Sequence, residues 1–173
     1  MSGLYCTRRK RQKDAPSDFA QDTRAHMPLS PPLHIRKADW GSEKDILMHL
    51  REQVFVQEQG VPADLELDEH DPLCLHLIAL DAARPVGTGR LLQDGHIGRL
   101  AVLPPYRSRG IGRALLESLI LEATARGIEE AILNAQVKVI PFYERAGFIV
   151  NGPEFLDAGI PHRVMRRSLV CTD

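Results

Sequence analysis

The run Leu100-Ala-Val-Leu-Pro-Pro-Tyr-Arg-Ser-Arg-Gly-Ile-Gly-Arg-Ala-Leu-Leu116 constrains this chain more than any other. A short apolar stretch stops at Pro104 and Pro105, which cannot donate to a strand ladder. Two glycines follow, and then Ile111, Leu115, Leu119 and Ala123 recur on one helical stripe with Leu116 and Ile120 beside it. The spacing predicts a strand over His96–Leu103 and a helix from about Ser108 to Arg126, closed by Gly127. A helix that starts this way presents unpaired N–H groups and the positive end of its dipole, which together suit a phosphate or pyrophosphate. Gly110 and Gly112 remove side chains that would hold an anion off the backbone. Arg107, Arg109 and Arg113 offer charge-assisted contacts. The same residues could equally begin a well-packed helix with no ligand. The third glycine of a dinucleotide fingerprint and the Gly-Lys-Ser/Thr of a P-loop are both missing.

Around this run the periodicity alternates. Leu33–Ala38 reads as a strand, and Asp39 or Ser42 can cap a helix to about Glu58, with Ile46, Leu47, Leu50, Val54 and Phe55 at three-to-four spacing. Leu73–Leu80 and Arg84–Leu92 read as strands joined by a tight turn, and Asp94-Gly95 as a hairpin turn into the next strand. Further on come a strand over Ala131–Ala135, a short helix over Ile140–Ala146, a strand over Phe148–Asn151 and a last strand over His162–Ser168. Early hairpins and later crossovers give a layered α/β domain over residues 33–173.

Residues 1–32 differ. They hold six Lys or Arg against three Asp, lack apolar periodicity and end in prolines, so they read as a mobile basic tail. The whole chain of 173 residues is nearly neutral, at −1, which argues against a surface built for nucleic acid. No uncharged apolar run approaches the roughly 18–20 residues of a membrane-spanning helix. Three cysteines without Cys-x-x-Cys spacing favour neither a disulfide framework nor a zinc site, and Cys74 reads as a small buried hydrophobe. With no secretory h-region at the N-terminus, the expected setting is reducing and cytoplasmic. The histidines lack metal-ligand spacing, so no metal is expected.

Arg107-Ser-Arg-Gly-Ile-Gly112, preceded by the strand residues Leu100, Ala101 and Val102, resembles the Q/R-x-x-G-x-G/A motif of the GNAT superfamily of N-acetyltransferases. Pro141-Phe-Tyr-Glu-Arg-Ala-Gly-Phe148 is similar to the second signature of that family. The segment Val54-Phe-Val-Gln-Glu-Gln-Gly-Val-Pro62, followed by Glu66-Leu-Asp-Glu-His-Asp71, resembles an uncharacterised bacterial branch. The resemblance implies a mixed, mostly antiparallel sheet with helices on both faces and a splay between strands 96–103 and 131–135. It implies acetyl-CoA as cosubstrate, its pantetheine arm beside the backbone of Leu100, Ala101 and Val102. The pyrophosphate would meet residues Arg107, Ser108, Arg109, Gly110, Ile111, Gly112 and Arg113, and Phe142 would pack against the cofactor or the core. Gln136 stands seven residues before Tyr143, where many members carry an asparagine that touches the cofactor.

By the same resemblance Tyr143 is the general acid toward the departing thiolate. A free thiol titrates near ~8.5 and a phenol near ~10, so donation is feasible at close range. Spacing alone favours reading Tyr143 as a core aromatic. The acceptor would be a primary amine, of a small molecule or a peptide, attacking directly in a ternary complex formed by a monomer or homodimer. A non-catalytic acyl-CoA-sensing module is the alternative. The loop from Glu58 to Asp71 carries Glu58, Asp64, Glu66, Asp68, Glu69 and Asp71 without a lysine or arginine. Such a rim would draw a cationic amine, or is simply a solvated acidic loop. Because an amine near ~10.4 must lose its proton first, at a cost of roughly 4 kcal/mol, a proton acceptor is needed. His96 and Glu66 are the candidates, with Asp68 and His70 as competitors; His76 reads as a core histidine.

Overall fold

A computed structural model describes residues 33–170. The basic stretch 1–32, with the expectation that it forms a mobile tail, lies outside the described residues.

Strand β1 (His34–Ala38) leads into helix α1 (Trp40–Arg51), which starts where expected. The Asp39 side chain accepts from the Ser42 amide at 2.9 Å, and Glu43 accepts from the Asp39 amide at 3.0 Å, so two N-terminal donors are satisfied reciprocally. The predicted continuation to Glu58 is helical but not α: Glu52–Glu58 winds as a π-helix, a wider turn with poorer packing that sequence periodicity does not report.

Strands β2 (Leu75–Asp81), β3 (Arg84–Leu91) and β4 (Ile97–Val102) complete an antiparallel four-stranded sheet in the order β1-β2-β3-β4. Cys74 is half-buried rather than buried, because the chain is still in a 3-10 turn at Asp71–Leu73 and β2 begins only after it. Helix α2 (Ile111–Ala125), strand β5 (Glu130–Gln136), the short helix α3 (Ile140–Glu144), β6 (Ile149–Asp157) and β7 (Ile160–Ser168) follow. The last three strands form a second antiparallel sheet in the order β5-β7-β6. The β6–β7 hairpin is longer than expected, since the left-handed pair Ala158 (φ 48°) and Gly159 (φ 77°) makes a tight turn there.

Alternation along β2 distributes the core between two faces. Leu75, Leu77 and Ala79 join the cluster containing Leu115, Leu116 and Leu119 of α2, whereas Ile78 packs with Leu47 and Leu50 of α1. Helices thus cover both faces of the first sheet. On β3, a Cβ at Gly89 would stand 2.9 Å from a methyl of Leu119, so the glycine lets α2 settle close to the sheet.

The two sheets touch at one bridge among the described residues, a parallel pairing of His96 with Ile132 in which the Ile132 amide donates to the Gly95 carbonyl at 3.1 Å. Beyond it β4 and β5 belong to different sheets. The expected splay is present, and it opens toward the start of α2.

Candidate functional site

The groove between β4 and β5 has one lip made by the chain that leaves β4. Pro104–Tyr106 forms a 3-10 turn, and Arg107 then folds back so that its Nε donates to the Val102 carbonyl at 2.9 Å. Ser108 (φ 61°) and Gly110 (φ 80°) adopt left-handed conformations, a strain tolerated at Gly110 and costly at Ser108. Among the described residues no side chain caps α2, and its first turn carries no acidic residue. The leading amides of a 15-residue helix are therefore left to solvent or to an anion. An ideal Cβ at Gly110 meets nothing within 4 Å, and one at Gly112 lies 3.7 Å from Val102 and 3.8 Å from Phe142. Ala101 and Ile111 are buried, so only their main-chain groups are available to a ligand. Arg109 lies over the Tyr106 ring at 5.3 Å, and Arg113 is paired with Glu117 one turn along. These backbone amides could hold an anion such as a pyrophosphate; the two downstream arginines are already engaged with protein.

The other lip is the end of β5. There Gln136 Nε2 donates to Gln59 Oε1 at 2.8 Å, which ties β5 to the end of the π-helical segment. The adjacent Glu58 reaches the opposite lip and forms a two-pronged ion pair with Arg107, at 2.6 and 2.5 Å. Sequence reading missed Gln59 altogether, because nothing in a polar residue before Gly60 signals a partner 77 positions away.

Tyr143 sits on α3, which Pro141 helps to start. Its ring meets Phe142 and Phe148 edge-on, with centroids 4.9 and 6.1 Å away. Burial pushes the phenol up to about 12. That is further from a free thiol than a phenol's ordinary ~10, and it keeps Tyr143 protonated throughout the neutral range.

The acidic loop differs most from expectation. Arg51, from the last turn of α1, reaches Glu66 with Nε (2.5 Å) and Asp71 with Nη1 (2.7 Å), and its Nη2 donates to the Glu66 carbonyl. Arg90 of β3 holds Asp71 at 2.6 Å and Asp68 at 2.6 and 2.8 Å. Arg99 of β4, in a left-handed conformation (φ 50°) where the β3–β4 register slips, donates to the Leu65 carbonyl at 3.0 Å. Burial alone would raise Asp68, but the hydrogen bonds and charge of Arg90 outweigh it and hold the carboxyl at about 2. Asp71 is held low in the same way, chiefly by Arg51 against the effect of burial. Glu66 and Asp71 are thus interior ion-pair partners rather than an open rim, and Glu66 is enclosed where a free base was expected. Glu69 and Asp64 stay exposed.

The sequence spacing carries signals for this network. Arg51 lies four residues after the core-facing Leu47, and Arg90 has the same strand parity as the buried Val86 and Thr88.

His96 lies at the bridged end of β4, opposite the end that leads to Arg107. Its side chain is 43% exposed, with Nδ1 2.9 Å from Asp94 Oδ2. His76 is buried, stacked on Trp40 with Nε2 2.7 Å from the Asp71 carbonyl, and desolvation lowers its pKa. Among the described residues no group of three His, Cys, Asp or Glu side chains could hold a metal, and no helix is long and apolar enough to cross a membrane.

Comparison with known proteins agrees with this geometry. The sequence profile of the acetyltransferase (GNAT) domain matches residues 38–169. The uncharacterised N-acetyltransferase YjcF of Bacillus subtilis is 42% identical over 123 residues, 69% of this chain and 88% of that protein. The structure is similar to that of an acyl-CoA N-acyltransferase from Pseudomonas aeruginosa, with a TM-score of 0.72 and 30% identity over 79% of this chain and 99% of the other. It shares its fold with Escherichia coli ElaA, at a TM-score of 0.71 and 24% identity, covering 79% and 99% of the two chains. A strand that splays from its neighbour into a glycine turn, with the matching profile across both sheets, places this chain in the GNAT acetyltransferase family.

Proposed function

We propose that the protein transfers an acetyl group from acetyl-CoA to a primary amine, by direct attack while both substrates are bound. The observation that carries this reading is the splay of β4 from β5 toward the uncapped start of α2, with Gly110, Gly112 and Arg107 around it. Bound acetyl-CoA supplies a thioester carbonyl for the amine and a sulfur leaving group. The backbone of Leu100 to Val102 has a free edge toward β5 past the His96 bridge, where extended pantetheine amides can pair. The amides of residues 108–113 meet the pyrophosphate, and Gln136 sits at the facing edge.

As the C–N bond forms and the C–S bond breaks, the amine loses a proton and the sulfur gains one. Tyr143 serves the second transfer. A phenol at about 12 facing a thiolate whose ordinary partner pKa is ~8.5 makes full transfer uphill in water, but burial raises both groups in the same direction. Tyr143 therefore acts first as a hydrogen-bond donor to the developing thiolate and delivers the proton as the bond completes. Of the two candidate proton acceptors, His96 is solvent-accessible and Glu66 is enclosed by Arg51, which favours His96, directly or through water.

Calorimetry and thermal melts with acetyl-CoA test the reading. Binding should raise the melting temperature of the wild type, and Gly112→Glu should abolish the shift while the variant stays folded. A folded Gly112→Glu protein with unchanged affinity would overturn the cradle assignment. An amine panel with thiol release as readout then identifies the acceptor.

A further inference from the structure

The Glu58–Arg107 pair places a carboxylate on an arginine of the turn that forms the anion cradle. Glu58 ends a seven-residue π-helical segment, and its neighbour Gln59 is bonded to Gln136 on the opposite lip, so two consecutive residues contact both sides of the groove. Both partners of the ion pair remain partly open, at 38% and 39% exposure. Exposed pairs of this kind contribute little, so an incoming phosphate can replace the carboxylate at small cost. Arg107 also keeps its Nε on the Val102 carbonyl, and the fork that faces Glu58 can therefore change partner without the guanidinium moving away.

We propose that Glu58 is an internal competitor for Arg107 that sets the affinity for the phosphate-bearing cosubstrate: the carboxylate occupies the arginine in the free protein and is displaced when a pyrophosphate arrives. The proposal rests on the acyl-CoA reading above. Displacement releases Glu58 from the cradle turn while the adjacent Gln59 keeps its bond to Gln136 on the opposite lip. Arg107 depresses the Glu58 carboxyl through a side-chain hydrogen bond, in keeping with an established pair in the free protein.

The test uses the full chain, with CoA and pantetheine as probes at fixed ionic strength. Glu58→Gln should bind CoA roughly two- to five-fold more tightly than wild type, because an exposed ion pair of up to about 1 kcal/mol no longer competes. Pantetheine, which lacks phosphate, should bind both proteins alike. Arg107→Gln should weaken CoA binding, and by a larger factor in the Glu58→Gln background, where the arginine is free. An unchanged or weaker CoA affinity in Glu58→Gln, or an equal shift for pantetheine, would show that the pair only braces the loop and would overturn the proposal. Failure of the wild type to bind CoA would instead remove the acyl-CoA reading itself, together with this inference. Thermal melts of each variant separate these outcomes from loss of folding.

Discussion

Arg51 Nη1 lies 2.7 Å from Asp71 Oδ1, and the two side chains are 1% and 0% exposed. This buried pair joins the last turn of α1 to the end of the acidic loop, with Glu66 as a second partner of the same guanidinium. Removing one member of a buried pair leaves a desolvated charge without compensation. Arg51→Leu should therefore destabilise the fold by about 3–5 kcal/mol, read as a lower midpoint in chemical denaturation. Glu66→Gln keeps the shape and should cost less. A shift under ~1 kcal/mol for Arg51→Leu would show that the loop is held by other means.

The same network predicts acid sensitivity. The folded pKa of Asp68 is about 2 against an ordinary 3.8, so the folded state binds fewer protons than the unfolded state between those values. Its contribution to stability is present above pH ~4 and is lost as pH falls toward ~2. Asp71 shifts in the same direction and adds to the effect. Melting temperature should fall steeply across this window, and Asp68→Asn should flatten the slope. A flat profile would contradict the ion pairing.

Tyr143→Phe keeps the ring contacts with Phe142 and Phe148 and removes the hydroxyl. Turnover should fall by roughly 10²–10³ with the Michaelis constant for acetyl-CoA little changed. Because the phenol is pushed up to about 12, it should impose no alkaline loss of activity below pH ~10. Single-turnover rates near wild type would assign Tyr143 to packing alone.

Gly95 stands at the bridge between the sheets, with φ 91°, and an added Cβ would come 2.4 Å from the Glu130 carbonyl oxygen. Gly95→Ala should cost about 2–4 kcal/mol and loosen the β4–β5 junction. Gly127 has a similar φ of 73° and open space around it, so Gly127→Ala should cost only about 1–2 kcal/mol. Equal denaturation midpoints for the two variants would show that strain, not the close approach, governs Gly95.

What the sequence determined by itself was local. Strand and helix periods, the Asp39 cap and the glycine turn before α2 depend on residues a few positions apart, and the structure has each of them at or near its expected place. The motif resemblance carried the splay between β4 and β5, which no local pattern reports. Tertiary structure decided the partners of the charges. Six carboxylates within 14 residues read as an open acidic rim because the chain segment holds no cation, yet Arg51, Arg90 and Arg99 arrive from α1, β3 and β4. It also decided that Glu58 meets Arg107 across 49 residues. Secondary structure follows short-range torsional and burial preferences, whereas an ion pair needs two side chains that only the packed sheet and helices bring together.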